Sequence, residues 1–216
     1  MKNLSTLILL TTISFGCTNT QDTSMNPFFT EYGTPYQIPP FEKIKEEHYM
    51  PAFTQGMKEQ LEEIDVITND PESPSFENTI VELERTGETL DKVSDVFFNL
   101  VSSNTNDQMD SIAAEVTPKL SAHSDAISLN KKLFSRVSSV YAQRHDLNLN
   151  TEQMRLVEET YKHFIRSGVQ LDESSMEKLT KINQELSSLS VQFDQNLLKE
   201  TNEGFNRSEE HTSELQ

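Results

Sequence analysis

The fold of this chain is decided by residues 151 to 201, TEQMRLVEETYKHFIRSGVQLDESSMEKLTKINQELSSLSVQFDQNLLKET. In both halves of this stretch, large apolar residues recur every three or four positions, and a helix with 3.6 residues per turn gathers such residues onto one face. The second half contains Met176, Leu179, Ile182, Leu186, Leu189, Phe193 and Leu197, and the first half contains Met154, Val157, Tyr161, Phe164 and Ile165. The pattern predicts two amphipathic helices.

The residues between the two helices predict a tight connection. Gly168 can end the first helix in the left-handed conformation, and Ser174 with Glu177 can form a capping box at the start of the second. Thr151 is a suitable N-cap for the first helix. We therefore predict a helical hairpin that forms its own packing unit.

The composition favours helix throughout and argues against nucleic-acid binding. The 216 residues include only 6 glycines, and 34% of them are hydrophobic. Acidic side chains number 35 against 18 basic ones, for a formal net charge of -17. Such a surface repels phosphate backbones, and we find no Lys/Arg cluster that could follow one. We find no alternating pattern long enough for a strand, so we predict an all-α protein.

Two helices are predicted before residue 101. Residues 41 to 69 are helical, with a short turn through His48 followed by a long helix from about Pro51. Ser73 caps the next helix, which starts at Pro74 and continues to Leu100 with Gly87 as its only interruption.

Two more helices are predicted before the hairpin. The first covers Asp107 to Ser128, where Pro118 introduces a kink, and the second covers Asn130 to about Arg144. Residues 41 to 206 together would form one helical unit.

The amino terminus has the build of a bacterial export signal. Residues 1 to 16 combine a basic start at Lys2 with a short apolar core and small residues before Cys17. We expect export to the periplasm or cell envelope, with Cys17 lipidated and anchoring the protein to the membrane; an ordinary cleaved signal is the alternative. Residues 17 to 40 would then be a tether and an extended segment rich in proline and aromatic residues. A single cysteine forms no internal disulfide and no thiolate zinc site.

The last ten residues, RSEEHTSELQ from Arg207 to Gln216, look like the translation of a sequencing adapter. We therefore expect residues 207 to 216 not to be native and exclude His211 and Glu214 as ligands. The natural protein would continue beyond this point, and the chain would be a fragment.

The sequence offers no catalytic or metal-ligating group that we can assign. It contains no HExxH, which would place two imidazoles on one helix face, no GxSxG and no phosphate-binding glycine loop. Carboxylate pairs such as Glu158 and Glu159 are common on solvated helix faces. The histidines are isolated in sequence, as expected of polar helix residues rather than ligands; they are His48, His123, His145, His163 and His211.

Several stretches taken together resemble one peptidase family. They are PPFEKIKEEHYMPAF from Pro39, PSFENTIVELERTG from Pro74, VFFNLVSSNT from Val96, FIRSGVQLDE from Phe164 and INQELSSLSVQFDQNLLKET from Ile182. As a set they are similar to the amino-terminal region of the thimet-oligopeptidase-like zinc metallopeptidases, above all the bacterial peptidyl-dipeptidases (dipeptidyl carboxypeptidases).

The resemblance implies an incomplete amino-terminal helical lobe of a two-lobed, almost wholly helical enzyme with a deep channel. It also implies one zinc ion, held by an HExxH motif and a glutamate that both lie later in the sequence. The intact enzyme would act on short peptides and release dipeptides from their carboxyl end. No zinc would bind to this chain. Two alternatives stay open: an endo-acting oligopeptidase of the same family, and a non-enzymatic helical envelope lipoprotein that serves as an interaction module. In a fragment, we expect apolar faces meant for the missing part to be exposed.

Overall fold

The computed structural model describes residues 26 to 213, with side chains described up to Gly204. The predicted export signal, Cys17 and the side chains of the adapter-like tail therefore lie outside the described residues. Within the described range all regular structure is helical and no strand occurs, which confirms the all-α prediction. None of the helices in this range combines the length and the apolar character that crossing a bilayer requires.

Seven helical elements follow two short 3-10 turns at Pro27–Phe29 and Pro35–Gln37. The element α2 is a π-helical segment, Phe76–Val81, that continues into one α-helical turn, Glu82–Arg85. The others are α-helices: α1 Glu46–Asn69, α3 Glu88–Ser103, α4 Asp107–Ser128, α5 Lys131–Gln143, α6 Thr151–Ser167 and α7 Glu173–Ser213.

The predictions for α4 and α5 are confirmed. The Asn106 side chain accepts the backbone N–H groups of Gln108 and Met109 at the start of α4. The Asn130 side chain does the same for the first turn of α5. These caps satisfy amides that have no partner inside the helix, so the local sequence is sufficient to fix both starts. α4 runs without interruption through Pro118.

The predicted start of the first long helix at Pro51 is wrong. α1 begins at Glu46, five residues earlier, because the His48 ring Nδ1 accepts the Lys45 backbone N–H at 3.0 Å and closes the first turn. Pro51 lies inside the helix but near its start, where a missing N–H leaves only one first-turn carbonyl without its partner.

The predicted single helix from Pro74 to Leu100 is also wrong. Its cap is Ser75, not Ser73, and Ser75 exchanges side-chain hydrogen bonds with Asn78 at 2.8 and 3.1 Å. The helix is then interrupted at Gly87, whose backbone φ of +89° is a conformation that glycine adopts more readily than other residues. The Gly87 N–H donates to the Glu63 side chain at 2.8 Å, so α1 holds the break in place.

The connection between α6 and α7 is partly as predicted. Gly168 has the expected left-handed conformation, with φ of +93°. The caps are each displaced: Asn150 rather than Thr151 caps α6, and Asp172 rather than Ser174 caps α7, accepting the Ser175 N–H at 2.9 Å.

The prediction that α6 and α7 pack against each other as a helical hairpin is wrong. α6 packs on α5, whereas α7 leaves α6 and packs along α4. A tight connection determines where one helix ends and the next begins. Which helices each of them packs against is determined by the rest of the chain.

Two apolar clusters hold the helices together. The first joins α1, α3 and α4 around aromatic side chains, with the Phe53 and Phe97 rings edge to face at 5.3 Å, and Phe28 docks the amino-terminal segment on it. The second joins the end of α1 with α2, α5 and α6, and Ile64, Val137 and Val157 are fully buried in it. α7 adds only Val191, half-buried, to the first cluster.

Candidate functional site

The described histidines lie apart from one another. His48 caps α1, His123 is buried on α4, His145 is exposed after α5, and His163 is exposed on α6. Among the residues that the structure describes, no three His, Cys, Asp or Glu side chains come together in a way that could hold a metal ion. Residues 26 to 204 therefore do not fit the zinc site that the family resemblance implies.

His123 is a structural residue that links three parts of the fold. Its Nε2 lies 2.7 Å from Oε1 of Gln60 on α1, and the Gln60 amide nitrogen donates to the carbonyl and hydroxyl oxygens of Thr86. Because Gln60 Oε1 can only accept, Nε2 of His123 carries the proton and Nδ1 is the unprotonated nitrogen. Nδ1 is buried without a hydrogen-bond partner, and burial lowers the pKa of His123. The imidazole is therefore neutral in the folded protein near pH 7.

The buried neutral His123 predicts a loss of stability in mild acid. In the unfolded chain this group takes up a proton below its ordinary pKa of about 6.5, whereas the folded state resists protonation until a lower pH. The folded state should thus lose stability as the pH falls below about 6.5, and the loss should stop once the folded-state pKa is passed. Urea unfolding at several pH values between 7.5 and 5 measures this contribution as the difference between the wild type and His123→Gln.

The matched control for this pH dependence is His145→Gln, which removes an exposed histidine from a loop. This variant should keep the wild-type slope of unfolding free energy against pH. If His123→Gln and His145→Gln change the slope equally, burial of His123 is not its cause.

A cleft of about 530 Å³ lies beside His123. Its walls are mostly apolar and come from α2, α3, α4 and α6; they include Leu83, Leu90, Leu120, Ile127, Leu156 and Phe164. Glu159 at its edge is paired with Lys162 at 3.0 Å and with Arg155 at 3.1 Å. His123 Nδ1 is covered by protein atoms. The hydroxyl groups that line the cleft are those of Ser124, Ser128 and Thr160. Among the described residues none of them is hydrogen-bonded to a histidine or a carboxylate, and Thr160 donates to the Leu156 carbonyl, so the cleft shows no activated nucleophile.

The other candidate site is an exposed row of large apolar side chains on α7, which we call the apolar stripe. Each of its members is more than half exposed: Ile182 59%, Leu186 61%, Leu189 53%, Phe193 65% and Leu197 55%. They are five of the seven residues whose spacing predicted an amphipathic helix; the other two, Met176 and Leu179, are half-buried. The helix is confirmed, and so is the expectation of an exposed apolar face.

α7 contacts α4 through its polar side. The Asn183 amide donates to both oxygens of the Asp125 carboxylate at 2.9 and 3.1 Å. Three turns later, the Gln195 amide donates to the Asp110 carbonyl at 2.9 Å. Only Val191, between them, brings an apolar side chain to the core. No sequence pattern predicts these contacts, because each joins residues more than 50 positions apart.

Comparison with known proteins identifies relatives along most of the chain. It is 39% identical over 181 residues to dipeptidyl carboxypeptidase of Salmonella typhimurium and 38% identical over 182 residues to that of Escherichia coli. Each alignment takes in 84% of this chain and 27% of the relative. Oligopeptidase A of Escherichia coli is more distant, at 25% identity over 168 residues, 78% of this chain and 25% of the relative. No family model matches. The chain thus spans about a quarter of the length of the curated relatives it matches.

Proposed function

We propose that this chain, which is homologous to dipeptidyl carboxypeptidase and oligopeptidase A, is one part of a longer zinc-dependent peptidase of their family. The observation that carries the proposal is the 38–39% identity to two dipeptidyl carboxypeptidases along 84% of the chain. The all-helical fold agrees with it but does not carry it, since many unrelated functions occur on helical folds.

The substrates of the whole protein would be short peptides, cleaved to release dipeptides from the carboxyl end. Two identities support this choice over endo-acting cleavage: 39% to a dipeptidyl carboxypeptidase against 25% to an oligopeptidase A. We also propose export to the periplasm or cell envelope, with a lipid anchor at Cys17, on the basis of the apolar segment before that cysteine.

The zinc ligands and the catalytic base would belong to the remaining polypeptide. Residues 26 to 204 contribute a helical scaffold whose polar groups are used in caps, in ion pairs and in the links between helices. We derive no catalytic step from them.

A second candidate is a non-enzymatic envelope lipoprotein that binds a partner. The exposed apolar stripe of α7 is the observation in its favour, since contiguous apolar surface marks interaction sites. The two candidates differ in what this chain's own gene encodes beyond residue 206.

The proposal predicts that the chain without its first 16 residues is inactive by itself. Purified and dialysed, it should neither hydrolyse a blocked tetrapeptide nor retain zinc in a one-to-one ratio, because its described residues bring no ligand set together. Metal analysis and chromatography of the peptide products measure both quantities. The dipeptidyl carboxypeptidase of Escherichia coli, assayed in parallel, is the positive control. Zinc-dependent turnover by the chain alone would contradict the proposal.

A further inference from the structure

We propose that the apolar stripe of α7 is an internal interface that the remaining polypeptide of the peptidase covers. This inference rests on the proposed function, because it assumes that a longer protein exists. It adds which surface of the described part meets the rest, and with what chemistry.

The apolar stripe and the α4-facing residues lie on different sides of α7. Successive helix residues are about 100° apart, which places Val191 and Gln195 roughly opposite Ile182. Asn183 lies at the border between the two sides, about 100° from Ile182. From Ile182 to Leu197 the stripe is about 22 Å long at a rise of 1.5 Å per residue. Spacings of 4, 3, 4 and 4 suit a seam along which one more long helix packs nearly parallel to α7.

Burial of the apolar face is what normally stabilises an amphipathic helix in water. α7 is unusual because the amide side chains of Asn183 and Gln195 and a few half-buried contacts attach its polar side to α4, while its apolar side is left exposed. The helix is thus one layer of a packing arrangement that needs another layer on its far side.

A second copy of the chain is a poor occupant of the stripe. Each copy carries a formal net charge of -17, so two copies repel each other. A lipid surface is also a poor occupant, because membrane-binding helices flank their apolar face with lysine and arginine. Here Lys178, Lys181 and Lys199 lie on a helix that also carries Glu177, Glu185, Asp194 and Glu200. The relatives, by contrast, have nearly three quarters of their length outside the matched region, which is ample polypeptide to cover one helix face.

The first test places charge on the stripe in the chain itself. In the double variant Leu186→Glu with Phe193→Glu, the melting temperature should stay nearly unchanged, because both side chains are more than half exposed among the residues that the structure describes. The fluorescence of the apolar dye ANS should fall by more than half, because the dye binds exposed apolar surface. The matched control is Ser190→Glu with Gln192→Glu, which adds the same charge at exposed positions off the stripe. It should change neither quantity.

The second test places the same two glutamates in the full-length dipeptidyl carboxypeptidase of Escherichia coli, at the positions aligned with Leu186 and Phe193. The melting temperature should fall by several degrees, or the protein should become insoluble, whereas glutamates at the positions aligned with Ser190 and Gln192 are tolerated. In that longer protein the stripe would be covered, and a buried unpaired carboxylate is costly.

Three results would overturn the inference. One is a full-length relative that tolerates the stripe glutamates as well as the control pair. Another is a chain that melts earlier when its stripe is charged. The third is a chain that sediments as a dimer whose formation depends on Leu186 and Phe193, which makes a second copy the occupant. The readouts are stability, dye binding and mass, so a failure of the interface is distinguishable from a failure of the proposed peptidase function, which is measured by peptide hydrolysis.

Discussion

Replacing Phe97 with alanine is expected to lower the free energy of unfolding by about 3–5 kcal/mol. Phe97 is fully buried in the cluster that joins α1, α3 and α4. Its ring lies 4.9 Å from the ring of Tyr49 and 5.3 Å from that of Phe53, both edge to face. The substitution removes buried apolar surface and these aromatic contacts, and it leaves a cavity in the cluster. Since a domain is stable by only about 5–15 kcal/mol, this loss would leave part of the population unfolded at 37 °C.

The control for Phe97 is the same substitution on the apolar stripe, Phe193→Ala. Phe193 is 65% exposed, so its replacement should change the unfolding free energy by no more than about 0.5 kcal/mol. Urea denaturation followed by circular dichroism measures both variants. Equal losses would mean that α7 is packed in solution in a way that the structure does not show.

Replacing Gly56 with alanine is expected to cost about 1–3 kcal/mol, although alanine is the better helix former by up to about 1 kcal/mol. A Cβ at this position of α1 would lie 2.8 Å from both the Cα and the backbone nitrogen of Leu90 on α3. Backbone atoms cannot rotate away as a flexible side chain can. The two helices would have to separate, and the aromatic cluster between them would lose contacts.

Gly204→Ala is the matched control for Gly56→Ala. A Cβ at position 204 of α7 meets no heavy atom within 4 Å, so this change should be neutral or stabilise the chain by up to about 1 kcal/mol. Thermal melts compare the melting temperatures of the two variants with that of the wild type. The close approach of α1 and α3 would be contradicted if both variants melt at or above the wild-type temperature.

Local features of the sequence were sufficient for most helices but not for their partners. Asn106 and Asn130 cap the helices that follow them, and cap chemistry involves only neighbouring residues. The sequence predicts one long helix with an interruption at Gly87. In the structure the left-handed backbone of Gly87, held by Glu63 of α1, separates two helices. That outcome depends on a contact 24 residues away in sequence.

α7 shows the same limit more clearly. Its periodicity indicated which residues share a face, and the structure confirms that grouping. Periodicity carries no information about what covers the face, and here the polar side packs on α4. The Gln60–His123 pair joins residues 63 positions apart and was equally beyond sequence reasoning. The family, by contrast, was recognisable from several short stretches of sequence taken together, and the identity of 38–39% to two dipeptidyl carboxypeptidases agrees with it.

Recovery of the continuous reading frame from the source DNA is the most direct test of the proposal that this chain is part of a longer peptidase. We expect the natural sequence to depart from RSEEHTSELQ after residue 206 and to continue in frame for several hundred codons. It should contain an HExxH motif and a later glutamate as metal ligands, which gives two imidazoles and a carboxylate for one zinc ion. A stop codon within a few dozen codons, with no such motif, would contradict the proposal that this chain is part of a peptidase. The helical envelope lipoprotein would then be the remaining candidate.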